Sequence, residues 1–175
     1  MDFLDFEGEK MYFDEPLSSE VQTLLDRASE HGRDEKAEQY LMRAYFKEPN
    51  HLTVLVALYR YFYYKQRLAD ALVIGEKALE VSGKLLGLRK SWDKLNINEL
   101  GQGVMVSMGL TRFYLHVLKA VGFILLRMHK IPESMERLNK LAELDASDQF
   151  GARPLIDIAR KYEKQSVGLK LVKQV

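Results

Sequence analysis

The side chains best able to titrate or hold a metal near neutral pH are the four histidines, His31, His51, His116 and His129. No pair of them has a zinc-type spacing such as H-E-x-x-H, and three fall near turns or helix ends expected from the surrounding pattern. They are expected at the surface. The chain has no cysteine, which excludes disulfides, thiolate metal sites and cysteine nucleophiles and fits a reducing compartment. Gly101-Gln102-Gly103 lacks the third glycine, the preceding strand and the lysine of a phosphate loop, so it reads as a helix-breaking linker. Asp34-Glu35 sits at a helix start, where acids complement the helix dipole, and no serine occupies a nucleophile elbow. No enzyme activity, catalytic residue, metal or cofactor is expected.

What remains is chemistry suited to binding. The stretch Tyr59-Arg60-Tyr61-Phe62-Tyr63-Tyr64-Lys65-Gln66 puts five rings into six positions beside two cations. Rings supply contact area at low entropic cost, and arginine and lysine supply charge-assisted hydrogen bonds, so an acidic, partly apolar peptide is a suitable ligand. Stacked bases are the competing ligand. Net charge argues against them: 26 Lys and Arg nearly cancel 25 Asp and Glu, leaving no single-sign field to attract nucleic acid or an anionic membrane. The most apolar run, residues 113–128, is interrupted by Lys119 and falls short of the roughly 18 to 20 apolar residues of a spanning helix. It is expected to be a core helix, with no membrane contact. The acidic start MDFLDFEGEK is unlike a signal or transit peptide, and a cytoplasmic location is expected.

The elements that must position these residues are helical. Val21, Leu24, Leu25 and Ala28 form a stripe at three- and four-residue steps, with Ser18 or Ser19 to cap its start and Gly32 to end it. Ala37, Leu41 and Ala44 share one face of a second helix that stops before Pro49. The pattern then recurs at a period of 34 residues: Val21 with Leu55, Leu24 with Leu58, Ala37 with Ala71, Ala44 with Ala78. A third unit repeats the Ala37, Leu41, Ala44 spacing at Ser134, Leu138 and Leu141, and Gly122 in its leading helix is small enough for a close helix approach.

With this period, the small residues of the second helices and the closing EPNH and LDASD segments, the chain resembles the tetratricopeptide repeat family. Gly75, at the position of Leu41 and Leu138, departs from the pattern, as do Gly83 and Ala146 at the position of Pro49. The resemblance implies an all-α fold, a right-handed superhelix of antiparallel helical hairpins with about seven to eight helices. The expected layout is an acidic aromatic arm (1–17), one domain (18–165) and a tail (166–175). Within the domain, repeats occupy 18–51, 52–83 and 115–148, an insertion occupies 84–114, and a capping helix occupies 149–165. Spacing from Val104 to Leu125 predicts one long helix over 104–129, and Asn96 with Glu99 has capping-box spacing.

The resemblance also assigns faces, since first helices of such repeats line the concave surface. It places Thr53, Val56, Arg60, Tyr63 and Tyr64 of the second unit toward the groove. The third unit contributes His116, Lys119, Ala120, Phe123 and Arg127, and the first Gln22, Asp26, Ser29 and Glu30. The implied function is a non-enzymatic adaptor or chaperone-like module that binds a protein, peptide or helix there. Two alternatives stand beside it: single-stranded nucleic-acid binding by stacking on Tyr63, Tyr64 and Phe123, and a homo-oligomeric scaffold, a homodimer through the insertion or cap. Residues 1–20 carry a formal charge of −6 with interleaved rings, and are expected to fold onto the groove as an internal pseudo-ligand.

Overall fold

The computed structural model describes residues 15–172, with side chains through Lys164. Within that span the chain is all-helical. The arm's first 14 residues, the greater part of the expected pseudo-ligand, lie outside the described residues.

Three pairs of helices pack as neighbours in sequence: α1 (Ser19–His31) with α2 (Glu35–Lys47), α3 (Leu52–Tyr64) with α4 (Leu68–Leu85), and α6 (Met108–Arg127) with α7 (Ile131–Leu144). Local signals set their ends. Ser18 Oγ accepts from the Val21 amide at 3.4 Å, and Gly32 closes α1 at φ 60°, a conformation that costs glycine little. The eight residues paired at a 34-residue period are all buried, none more than 5% exposed, and Ser134, Leu138 and Leu141 of α7 are fully buried. The periodic residues therefore form the shared core.

Two glycines bring helices unusually close. A side chain at Gly75 would put its Cβ 3.2 Å from Val121 Cγ2 and 3.6 Å from the Tyr59 ring. The departure from a bulky residue at this position thus lets α4 lie directly on α6. Gly122 admits Leu138 of α7 in the same way.

The long helix expected over 104–129 is two helices. α5 (Ile97–Val106) starts at Asn96 with the expected capping box, and Ser107 then turns extended (φ −160°, ψ 115°). Its Oγ accepts from the Leu110 amide at 3.2 Å and so caps α6. The spacing misled because it counted Val104 and Met108 as inward, whereas they are 37% and 65% exposed. α6 is long and apolar enough to cross a membrane by length and composition, and here it packs against α4, α5 and α7.

α8 (Ala152–Val172) packs on α7, with Pro154 in its first turn, where no intrahelical donor is lost. Asp148 Oδ1 accepts from the Ala152 and Arg153 amides at 2.7 and 3.1 Å, capping that start. The helix continues through the expected boundary at residue 166.

Candidate partner-binding groove

The last turn of α3 carries Tyr63 and Tyr64, and α6 brings Phe123 and Arg127 to them. Tyr63 meets Phe123 with ring centroids 6.4 Å apart and touches Tyr64 edge-on at 5.7 Å. Arg127 lies over the Tyr63 ring at 5.4 Å, and its Nη2 donates to Gln66 Oε1 at 2.7 Å. Arg33, in the turn between α1 and α2, lies 4.4 Å over the Tyr64 ring. All three helix pairs thus contribute to one aromatic and cationic surface, in which each arginine presents its charge to a ring face.

The other expected groove residues are more spread. His116 and Lys119 lie on the same face of α6 as Phe123, seven and four residues before it, so about 10 and 6 Å along the helix. His116 meets Phe150 edge-on at 4.8 Å, and Lys119 Nζ comes within 3.6 Å of the Cβ position of Gly151. Thr53 and Val56 are at the opposite end of α3 from Tyr63, with Arg60 between. Arg127 is exposed, and Thr53, Val56, Arg60, Tyr63, Tyr64, His116, Lys119 and Phe123 are half-buried. Ala120, expected on this face, is instead buried at 2% exposure, because it is covered within the core that α6 shares with its neighbours. Gln22, Asp26, Ser29 and Glu30 are exposed on α1, where Gln22 Nε2 donates to Asp26 Oδ1 at 2.8 Å.

Tyr61, in the same aromatic run, serves the scaffold. Its hydroxyl donates to the Asp34 carbonyl at 3.1 Å, and burial, then the Glu38 carboxylate, raises its pKa above the ordinary value. Arg67 stacks 4.5 Å from the Phe62 ring and binds Glu38 and Asp70, each at 2.7 Å. These bonds hold the turn that presents Gln66.

One histidine corrects the surface assignment. His51 is 6% exposed, because both ring nitrogens serve the main chain. Nδ1 accepts from the Thr53 amide at 3.2 Å, so Nε2 carries the hydrogen and donates to the Glu15 carbonyl at 3.1 Å. Arg33 and Gln66 were not among the expected groove residues; both sit in turns just after α1 and α3, and those positions were the available signal. Among the described residues no group of three or more His, Cys, Asp or Glu could hold a metal ion.

Over 165 residues the chain is 36% identical to a protein of Azotobacter chroococcum mcd 1 described as "Uncharacterized 19.8 kDa protein in nifW 5'region", a match covering 94% of this chain and 92% of that one. No protein-family model and no solved structure matches this chain.

Proposed function

The chain belongs to one family with that Azotobacter chroococcum protein, and we propose that it is a non-enzymatic interaction module that holds a peptide or helix in a concave groove. We read the three helix pairs as tetratricopeptide-like repeats in a right-handed superhelix, α8 as the cap, and residues 84–114 as an insertion. The shared burial of residues 34 apart supports this reading.

The observation that carries the function is the meeting of Tyr63 and Phe123 under Arg127, with Tyr64 under Arg33 beside them. Such a surface suits a segment that offers apolar side chains to the rings and carboxylates to the guanidinium edges. The Arg60→Glu, Tyr64→Ala double variant should lose, in pull-downs, partners that the wild type retains. Equal recovery by a folded variant would overturn the groove. If the partner were single-stranded nucleic acid, retention would instead fall steeply with salt.

A further inference from the structure

A pocket of about 320 Å³ lies between α4 and the segment Leu88–Trp92, and shares no residue with the groove. Its apolar walls are Leu79, Leu88, Trp92 and the ring of Tyr114. Gly83 makes room for that ring: a Cβ there would stand 3.2 Å from Tyr114 Cε2. The volume is at the small end of ligand sites, enough for a single-ring compound.

Its charges are unbalanced toward a ligand anion. The lining acids are already matched, Glu76 by Arg137 and Glu80 by Lys84, each at 2.5 Å. Lys90 reaches Glu99 at 2.8 Å, outside the lining. Arg89, exposed at the mouth, makes no ion pair among the described residues. Behind the wall, Arg137 lies 3.6 Å over the Trp92 ring, and its buried Nη1 has no hydrogen-bond partner. Tyr114 is 2% exposed, and burial pushes its hydroxyl pKa up to about 12.

We propose that this pocket binds a small aromatic carboxylate, its ring against Trp92 and Tyr114 and its carboxylate at Arg89. This goes beyond the groove reading and does not depend on it.

Trp92 is the chain's single tryptophan, so all tryptophan fluorescence comes from the pocket wall. The probes are N-acetyl-L-phenylalanine and its neutral amide, added to the full chain. Expected are a saturable change with the acid at a Kd of about 1 mM or below, and binding about tenfold weaker for the amide and for Arg89→Glu. Arg89 is exposed, so its variant tests charge without disturbing the core. No saturable change, equal binding of acid and amide, or an unchanged Kd in folded Arg89→Glu would each overturn the proposal.

Discussion

Leu138 occupies the space left by the missing side chain of Gly122: its Cγ and Cδ2 both lie 2.9 Å from where a Cβ would stand. Leu138 is fully buried and has nowhere to retreat. Gly122→Ala should therefore destabilise the fold by about 1–3 kcal/mol, despite alanine's better helix propensity. Urea denaturation checks this; a stabilised variant would contradict the close packing of α6 on α7.

Beside that contact, Ser134 Oγ donates to the Gly122 carbonyl at 2.7 Å from a fully buried position. Ser134→Ala creates no large cavity and leaves no buried donor behind. A loss of about 1 kcal/mol is expected in the same denaturation measurement.

At the start of α3, His51 is a helix cap and a tether for the chain arriving at Glu15. His51→Ala removes both bonds and should cost about 1–2 kcal/mol. His51→Asn, which keeps a cap acceptor, should recover part of that loss in a thermal melt.

Alkaline pH should reveal Tyr114. Its folded pKa of about 12 stands above the ordinary 10.0, so its contribution is intact below pH 10 and falls as pH rises toward 12. The loss across that window is about 2–3 kcal/mol. Tyr61, whose pKa is also raised, is present in wild type and in Tyr114→Phe alike, so the difference between their stability curves isolates Tyr114. Parallel curves would contradict its burial.

Ser107 tests the break between α5 and α6. Ser107→Ala removes the α6 cap and should cost about 1 kcal/mol. Because α5 packs chiefly on α6 and leaves Val104, Met105 and Val106 exposed, its amides should exchange hydrogen faster than those of α6 in both proteins.

Helix placement was legible in the sequence wherever a residue's type and its environment agree. Ser18, Gly32, Asn96 and Glu99 act within a few residues of themselves, and the small residues at Ala37, Ala71 and Ser134 mark buried helix faces. The break at Ser107 was hidden because an exposed methionine or valine carries the same spacing signal as a buried one. His51 looked like a surface residue, since nothing local announces that Glu15 comes back to meet it. On the candidate surface, Tyr63 and Tyr64 could be singled out as an aromatic run. Arg127 was expected on the same face, but Arg33 and Gln66 were not, because their partners Tyr64 and Arg127 lie 31 and 61 residues away along the chain.

Gly75 lets α4 rest directly on α6 although residues 86–107 separate the two helices along the chain. The continuity of the packed core there is spatial, made by side-chain contact between helices that the chain does not join directly. A chain opened in the exposed stretch Arg89–Ser91 would therefore keep complementary faces on both pieces, one ending with α4 and the other carrying α6. Mixed as separate fragments, the two pieces should reassemble on those faces.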